Sequence, residues 1–411
     1  MSTVAIVAEY NPFHNGHLYH LNEAKRLSNA EKAFAVMSGN FVQRGEPAIL
    51  NKLARAGVAV KNGLDLIFEL PVRYSTSGAQ DFSFSAVEMI NSLGIADHIA
   101  FGAETNDINR LYKISECLTK ESCSFKTSLN DHLKEGHSFP KARSMAVIDE
   151  IGDDYTEDLS SPNNILAIEY ISALTRLDSD ITPVIIPRKG ISHDSDVTSG
   201  EFASGKRIRE LIVTQDKEEI CLQNSSINTL LPENTYEGTG LLREFISTND
   251  ISALLNLSLI NLQHGSDEFT PDSILDINET LFNKIKKLKL PMSYEDIIQA
   301  LKTREMTEAR IRRVLLHIIL GIKDIKPSDS LFCPYATLLA FRRESSELLK
   351  KAADKSKIEI VNKRSAYKPA DKYTDTLYEY DKKATDIYNL LYHIKTGKIL
   401  PNELSSNSVI I

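Results

Sequence analysis

Two histidines three residues apart, His14 and His17, lie near the start of the chain in the stretch NPFHNGHLYHL, which runs from Asn11 to Leu21. Imidazole rings can bind zinc, transfer protons or donate hydrogen bonds to phosphate. His20 repeats the spacing, but on a helix each step of three residues turns by about 60°, so His14 and His20 would point about 120° apart. No Cys or acidic residue lies at a favourable offset to complete a zinc site. We therefore favour a nucleotide site here over zinc, and over a helix start that binds nothing.

The residues around the two histidines suit a nucleotide. Gly16 has no Cβ, so an adenine ring or a phosphate can approach the backbone closely. Pro12 holds Asn11 out of the helical region, so a helix is predicted to begin after it. The first turn of a helix has unpaired N–H groups and the positive end of the dipole, which together bind anions. Two imidazoles beside that turn can donate hydrogen bonds to an α-phosphate whose charge grows during an in-line displacement.

The elements that would position this loop alternate between strand and helix. Five short apolar runs, each followed by a polar or glycine-containing loop, are predicted to be strands: TVAIVAE (3–9), KAFAVMSG (32–39), DLIFELP (65–71), DHIAFGAE (97–104) and TPVIIPR (182–188). Helical patterns such as PNNILAIEYISALTRL lie between them. This alternation predicts an α/β fold with a parallel sheet, whose ligands bind at the carboxyl ends of the strands. Beyond about residue 215 helical spacing predominates, so we predict one domain over 1–215 and a mostly helical one over 216–411.

The composition excludes several classes of protein. With 411 residues, 42% hydrophobic and 25% charged, the chain has the composition of a soluble globular protein. No apolar stretch reaches the roughly 18 residues that a membrane helix needs, and the N-terminus lacks a basic leader, so no membrane association is expected. The four cysteines form no Cys-x-x-Cys pair, which favours a reducing, cytoplasmic location.

Charge is distributed unevenly along the chain. The net charge is −8, yet residues 281–370 hold 20 basic and 10 acidic residues, against 28 and 46 in the rest. A basic segment on an acidic protein predicts a surface for a polyanion such as nucleic acid, although a solvated helical surface is the plainer alternative. The residues predicted to form an RNA-binding basic stripe are Lys302, Arg304, Arg310, Arg312 and Arg313. We expect this basic stripe to lie in the helical domain, away from the nucleotide residues.

Several longer segments of the sequence resemble those of one family. His14-Asn15-Gly16-His17 matches the H-x-G-H signature of the adenylyl-transferring superfamily that includes class I aminoacyl-tRNA synthetases. The words VAEYNPFHNGHLYHL (7–21), MSGNFVQRGEPA (37–48), GLDLIFELP (63–71), FGAE (101–104) and LKTREMTEARIRRVLLHIIL (301–320) resemble the bacterial tRNA(Met) cytidine acetate ligases. The resemblance implies a Rossmann-like nucleotidyltransferase domain followed by a mostly helical tRNA-binding domain. It also implies that ATP and acetate form acetyl-adenylate, and that the acetyl group passes to N4 of the wobble cytidine of elongator tRNA(Met).

The resemblance further implies a set of functional residues. His14 and His17 would be catalytic, with Mg²⁺ bound through the phosphates of ATP and no zinc held by the protein. Carried over residue by residue, the ATP-binding residues would be Val7, Ala8, Glu9, Tyr10, Asn11, Pro12, Phe13, His14, Asn15, Gly16, His17, Leu18, Tyr19, His20, Gly102, Asn163 and Arg188. From the residues alone, Gly102 could instead be a plain turn, Asn163 a helix N-cap and Arg188 a surface charge.

A second phosphate-binding element is predicted in EFASGKRIRELI (201–212). Ser204 would cap a helix, and Lys206 and Arg209 would bind phosphate at its start, because cations there oppose the helix dipole unless anions lie between them. Gly205 and Lys206 stand where the family has Ala and Thr, and Leu53 stands where Trp is common. A capped surface helix is the alternative. The sequence indicates neither an acetate pocket nor a base for acetyl transfer, and it leaves open a small-molecule adenylyltransferase or a non-catalytic RNA-binding protein.

Overall fold

The apolar runs form neighbouring strands of one sheet. The structure, a computed structural model, describes residues 2–187, 200–214, 227–233, 235–236, 241–265, 270, 273–303, 306–327 and 331–411. In chain order the strands are β1 (Thr3–Ala8), β2 (Lys32–Ser38), β3 (Phe41–Val42), β4 (Glu46–Pro47), β5 (Leu66–Leu70), β6 (His98–Ala103), β7 (Thr182–Pro187), β8 (Tyr335–Phe341), β9 (Glu359–Val361) and β10 (Val409–Ile410). The five predicted strands correspond to β1, β2, β5, β6 and β7, so those predictions are confirmed.

The order of the strands creates a binding crevice at the centre of the sheet. The order is β10–β8–β5–β2–β1–β6–β7, with β9 paired to β8, while β3 and β4 form a separate hairpin. β1 is parallel to both of its neighbours, β2 and β6. The chain moves outward from β1 through β2 and β5, and then in the other direction through β6 and β7. Ligands of parallel α/β sheets bind where the order reverses in this way, so the carboxyl ends of β1 and β6 are the expected site.

Helices cover both faces of the sheet. In chain order they are α1 (Asn15–Ser28), α2 (Lys52–Lys61), α3 (Val72–Ser75), α4 (Ala79–Leu93), α5 (Ile108–Lys120), α6 (Cys123–Lys134), α7 (Phe139–Ile151), α8 (Thr156–Ser160), α9 (Pro162–Arg176), α10 (Gly205–Thr214), α11 (Ser252–Gln263), α12 (Glu279–Ile285), α13 (Tyr294–Leu301), α14 (Glu308–Leu320), α15 (Ser346–Lys355) and α16 (Lys372–Thr396). Within β1, Val4 and Ile6 pack into a core with α1 and α2, whereas Ala5 packs into a second core with α4, α5 and α9. Burial on both faces explains why these strands are almost uniformly apolar.

The helical half has its own core but shares the sheet. Side chains of α11 to α14 and α16 pack together in a third apolar cluster. The strands β8, β9 and β10 nevertheless extend the sheet beyond β5, and β8 runs antiparallel to β5. A division of the chain after residue 215 would therefore separate β8, β9 and β10 from the other strands of their sheet.

Buried ion pairs fasten the C-terminal segment to the sheet. Lys52 Nζ lies 2.7 Å from Glu69 Oε2 and 2.6 Å from Glu403 Oε2, and Arg364 Nε lies 3.0 Å from Glu403 Oε1. All four side chains are buried. Because a buried charge without a partner is strongly destabilising, this cluster holds together segments that are far apart in the chain.

The described part of the chain contains no helix that is both long and apolar enough to cross a membrane. Cys117, Cys123 and Cys333 are free thiols. The fourth cysteine, Cys221, lies outside the described residues.

Candidate active site

A cavity of about 530 Å³ lies at the carboxyl ends of β1 and β6. It is bounded by the loop after β1, the turn between β3 and β4, and the first turns of α9 and α10. The predicted ATP-binding residues that line it are Val7, Ala8, Glu9, Tyr10, Asn11, His14, Gly16, His17, Tyr19, His20, Gly102 and Asn163. The predicted phosphate-binding residues Ser204, Lys206 and Arg209 line it as well. Arg188 lies outside the described residues.

His14 and His17 form a stacked pair at the start of α1, with ring centroids 3.8 Å apart. His14 is the N-cap of the helix, because its Nδ1 accepts a hydrogen bond from the Gly16 N–H at 3.0 Å. His17 Nδ1 in turn accepts from the His14 N–H at 3.3 Å, which completes a capping box. A ring nitrogen that accepts carries no proton, so a neutral imidazole in either position holds its N–H on Nε2. The two rings can therefore cap the helix and donate to a phosphate at the same time.

Gly16 is required by the His14 ring. A Cβ at residue 16 would lie 2.9 Å from Cε1 and 3.0 Å from Nδ1 of His14. The prediction that Gly16 makes room for the nucleotide stays a prediction, and the His14 imidazole fills the space that a Cβ at residue 16 would take. Gly16 also borders the cavity, and its main contribution is to let His14 take up the capping position.

Some residues of the predicted ATP loop support the site from behind. Those that do not line the cavity are Pro12, Phe13, Asn15 and Leu18. Phe13 is buried, and its ring centroid lies 5.6 Å from that of His17. Asn15 Nδ2 donates to the carbonyl oxygens of Glu201 at 3.1 Å and Thr229 at 2.9 Å. These contacts hold the start of α1 in place by packing and by hydrogen bonds to a distant part of the chain.

The start of α10 faces the histidine pair. Ser204 Oγ accepts a hydrogen bond from the Arg207 N–H at 3.1 Å, so Ser204 caps the helix as predicted. A Cβ at Gly205 would lie 3.7 Å from His14 Nε2, so the nitrogen that carries the His14 proton lies beside the first residue of α10. A helix N-terminus next to an imidazole donor is a suitable site for phosphate oxygens.

Arg209 joins α10 to the loop after β1. Its Nη1 donates to the Asn11 carbonyl oxygen at 2.9 Å, and its Nη2 lies 4.0 Å from Glu46 Oε2. Burial lowers the pKa of the Arg209 guanidinium, and the charges of Glu46 and Glu9 oppose that shift. Together with Lys206, Arg209 gives this corner of the cavity a positive charge that suits a triphosphate.

The opposite wall is formed by β6 and the start of α9. Asn163 lies in the first turn of α9 and Ser161 is the N-cap, so the N-cap interpretation of Asn163 is wrong. Asn163 Nδ2 donates to Glu104 Oε1 at 2.6 Å, and Glu104 Oε2 accepts from the Asn164 N–H at 3.0 Å. With Nδ2 engaged, the side chain can offer its oxygen as an acceptor for an amino or hydroxyl group. Gly102, within β6, borders the same wall without a side chain.

Comparison with known proteins identifies the family. The family model described as HIGH Nucleotidyl Transferase matches residues 1–400. A tRNA(Met) cytidine acetate ligase from a Thermoanaerobacter species is 40% identical over 400 residues, which cover 95% of this chain and 96% of the relative. The protein of that name from Acetivibrio thermocellus is 34% identical over 427 residues and covers 100% of both chains. The chain belongs to the tRNA(Met) cytidine acetate ligase family.

Solved structures agree with this assignment. Thermotoga maritima TmcAL without ligand superimposes with a TM-score of 0.89 at 29% identity, covering 100% of both chains. The same protein bound with alpha-thio ATP gives a TM-score of 0.88 at 29% identity, covering 100% of this chain and 99% of that one. The predicted nucleotidyltransferase fold is confirmed, and this member of the ligase family is an enzyme.

The basic stripe of this ligase lies beside the cavity. Arg313, on α14, is itself a lining residue. A Cβ at Gly45, in the turn between β3 and β4, would overlap the backbone of Arg312 and Arg313, so α14 packs directly on that turn. The expectation that the stripe lies away from the nucleotide residues is therefore wrong. Lys302 precedes α14 and is exposed, whereas Arg304 lies outside the described residues.

Three arginines of the basic stripe have partners within the chain. Arg312 Nη2 lies 2.8 Å from Glu308 Oε1, and the Arg312 side chain is only 13% exposed. Arg310 Nη2 donates to the Asp276 carbonyl oxygen at 2.9 Å, and Arg313 Nε lies 3.4 Å from Asp276 Oδ2. Contact between the stripe and tRNA stays a prediction, but these side chains also hold α14 against its neighbours.

Each histidine of the capping pair has one ring nitrogen engaged by the backbone. The Nδ1 atoms of His14 and His17 both accept backbone hydrogen bonds. Within the described ranges, a group with ligand atoms inside 4.8 Å of one another is formed instead by His132, Glu135 and His137. The absence of protein-bound zinc from the loop stays a prediction.

Gln43 and Arg44 are among the cavity residues that were not predicted. They occupy the turn between β3 and β4 and line the cavity. The family-like segment MSGNFVQRGEPA (37–48) contains both residues and could have indicated them. Arg55 was also missed; it is buried on α2 and donates to the carbonyl oxygens of Glu9, Ser38, Gly39 and Leu50. This arginine joins the carboxyl ends of β1 and β2, and an Arg within an otherwise apolar helical pattern was its signal.

Proposed function

We propose that this protein is an ATP-dependent ligase that activates acetate as acetyl-adenylate and transfers the acetyl group to N4 of the wobble cytidine of elongator tRNA(Met). The observation that carries the proposal is the stacked His14–His17 pair at a cavity also lined by Lys206 and Arg209. The names of the relatives support the acyl group and its acceptor. The alpha-thio ATP bound to the Thermotoga protein supports the nucleotide.

The first step is the attack of an acetate oxygen on the α-phosphorus of ATP, with pyrophosphate as the leaving group. Negative charge increases on the phosphate oxygens during this displacement, so preorganised donors stabilise the transition state more than the ground state. His14 and His17 can supply such donors through Nε2. Lys206 and Arg209, at the start of α10, are placed to neutralise the pyrophosphate.

Mg²⁺ fits this site as an ion carried by ATP. The described lining holds one carboxylate, Glu9, among the cations Arg44, Lys206, Arg209 and Arg313. Mg²⁺ commonly binds substrate phosphates plus one or two carboxylates and keeps several waters. When bound, the ion would neutralise part of the phosphate charge, while Lys206 and Arg209 position the same phosphates.

Acetate requires a small apolar surface for its methyl group and a cation for its carboxylate. Ala79 and Phe82, in the first turn of α4, line the cavity that Arg44 also lines. We therefore place the acid between these three side chains. The acetyl transfer then depends on bringing the cytidine amine to the activated carbonyl carbon, chiefly by positioning.

The tRNA is proposed to bind across the basic surface of the helical half. Lys302 and Arg310 of the basic stripe remain candidates for phosphate contacts. Exposed lysines near the end of α12 offer a second set: Lys286, Lys287 and Lys289. A tRNA partner is consistent with the cytoplasmic location expected from the cysteine pattern.

The proposal is tested by incubating the full chain with ATP, labelled acetate and total bacterial tRNA, followed by separation of the nucleosides. We expect the label in N4-acetylcytidine from elongator tRNA(Met), with one AMP formed per acetyl group transferred. A transcript with uridine at the wobble position is the matched control and should remain unlabelled. A requirement for acetyl-coenzyme A, or a product that retains the nucleotide, would contradict the proposal.

A further inference from the structure

A single carboxylate among several cations is unexpected in a cavity for a triphosphate. Glu9 directly follows β1 and is the only acidic side chain among the described residues that line the cavity. A carboxylate repels phosphate oxygens, so its partner is either a cation, such as the Mg²⁺ that ATP carries, or a hydrogen-bond donor. A group with N–H bonds is the natural partner for a carboxylate oxygen.

The Glu9 carboxylate is fixed in place but only partly used. Its Oε1 accepts a hydrogen bond from the Gln43 N–H at 2.8 Å. Across the described residues, neither a hydrogen bond nor an ion pair engages its Oε2. The backbone at Glu9 and two residues after it is anchored too, because Arg55 donates to the Glu9 carbonyl oxygen and Arg209 donates to that of Asn11. One acceptor oxygen is therefore held at a defined position in the cavity.

The surroundings of Glu9 favour proton transfer. Burial raises the pKa of the Glu9 carboxyl above its ordinary value, although the Gln43 N–H and the charges of Arg209, Arg44 and Arg55 oppose the shift. Other titratable groups that line the cavity are His14, His17 and His20 at α1, Lys206 of α10 and Arg313 of α14. Tyr170 of α9 lines it too, and its own pKa is raised by burial and then by Glu9. A carboxylate whose pKa is raised is a stronger base, once ionised, than an ordinary glutamate.

We propose that Glu9 receives the acceptor cytidine, with Oε2 accepting a hydrogen bond from the N4 amino group and then taking its proton during acetyl transfer. This inference rests on the function proposed above. A glutamate that accepts from N4 of cytosine is a known mode of base recognition, and uracil, with a carbonyl at that position, would be repelled. Tyr170 and Phe82, both largely buried in the apolar core, line the same cavity and give it an apolar wall against which a base can pack.

The transfer step balances without a further reactant. The N4 lone pair attacks the acetyl carbonyl carbon, and a carbon–nitrogen bond forms. The bond from that carbon to the oxygen on phosphorus breaks, and AMP leaves with that oxygen and its electron pair. The extra proton on nitrogen passes to Glu9 Oε2.

Two assays on the full chain separate the steps. Acetate-dependent exchange of pyrophosphate into ATP measures adenylation, and single-turnover formation of N4-acetylcytidine from preformed acetyl-adenylate measures transfer. A general base contributes roughly 10²–10⁴-fold, so Glu9→Gln should slow transfer by that factor while exchange falls by no more than about tenfold. Glu9→Asp keeps a carboxylate and should recover at least about tenfold of the lost transfer rate. The wild-type transfer rate should rise with pH as Glu9 ionises, and this rise should be absent in Glu9→Gln.

Glu104→Gln is the matched control. Glu104 is also a carboxylate at the end of a central strand, but it holds Asn163 and Asn164 and does not line the cavity. Its loss should raise the KM for ATP and leave the ratio of transfer to adenylation unchanged. Equal losses of both steps in Glu9→Gln, a higher Mg²⁺ requirement for exchange, or no loss at all would overturn the role of Glu9. If Glu9→Gln does not fold, Glu9→Asp replaces it in both assays. The pH dependence of its transfer rate and its ratio of transfer to adenylation then decide the role of Glu9. A wild-type protein that never acetylates cytidine would instead refute the proposed function.

Discussion

Replacing His14 with serine should separate two roles that one imidazole ring now fills. His14 Nδ1 caps α1 through the Gly16 N–H, and His14 Nε2 lies beside the first residue of α10. Serine is among the best N-caps, whereas alanine at an N-cap loses about 1 kcal/mol of stability. We therefore expect the free energy of unfolding of His14→Ser to lie within about 0.5 kcal/mol of the wild-type value. That of His14→Ala should be lower by about 1 kcal/mol. Both should lose the Nε2 donor, so acetate-dependent pyrophosphate exchange should fall by about 10²–10³-fold, equivalent to about 2.7–4 kcal/mol of transition-state stabilisation.

The same separation applies to His17. Glutamine at this third helical position completes a capping box with its amide oxygen, so His17→Gln should keep the helix start and lose the imidazole donor. Urea unfolding reports the cap, and the exchange rate at saturating ATP and acetate reports the donor. A His14→Ser protein that exchanges pyrophosphate at the wild-type rate would refute the donor role. A His14→Ser protein as unstable as His14→Ala would refute the capping role.

Four further predictions follow from the structure. Gly16→Ala would crowd the His14 ring, so exchange should fall at least about tenfold while tRNA binding, measured by filter retention, is kept. The triple change of Arg310, Arg312 and Arg313 to Ala should reduce adenylation as well as tRNA binding, because Arg313 lines the cavity; adenylation at the wild-type rate would contradict this. Changing Lys286, Lys287 and Lys289 to Ala should instead weaken tRNA binding alone and flatten its salt dependence by somewhat under one unit of slope per lysine. Burial alone would raise the pKa of Asp65, but hydrogen bonds from Ser345, the Ala33 N–H and Lys32 hold it below its ordinary value. Because the folded pKa is depressed, this contribution to stability is present above the unfolded pKa and is lost as pH falls through the folded one, so acidification below about pH 4 should destabilise wild type more than Asp65→Asn in urea unfolding.

The central strands and the histidine loop could be predicted because their signals are local. Parallel strands buried on both faces appear as continuous apolar runs, and the loop after β1 combines Pro12, Gly16 and two histidines within six residues of one another. β8 was missed because YATLLAF is a short apolar run inside a helical region, where length and periodicity do not distinguish a strand from a buried helix. The capping role of His14 was missed because Ser, Thr, Asp and Asn are the usual N-caps.

The position of α14 could not be predicted from local sequence. It depends on a contact between Gly45 and the backbone of Arg312 and Arg313, and these two segments are far apart in the chain. The sequence shows that basic residues cluster in this segment. Their ion pairs with Glu308 and Asp276 can be seen only in the folded structure. The role of Glu9 was likewise hidden, because nothing in the sequence distinguishes it from its neighbours in the ATP-binding loop.

The central claim, that acetate is activated by direct attack on the α-phosphorus, is tested most directly with acetate labelled in both oxygens with ¹⁸O. The full chain is incubated with labelled acetate, ATP, Mg²⁺ and elongator tRNA(Met), and the released nucleotide is examined by mass spectrometry. The attacking acetate oxygen remains on phosphorus when the acetyl group leaves, so we predict AMP that carries one ¹⁸O atom for each N4-acetylcytidine formed. Unlabelled AMP, or ADP as the nucleotide product, would contradict an acetyl-adenylate intermediate.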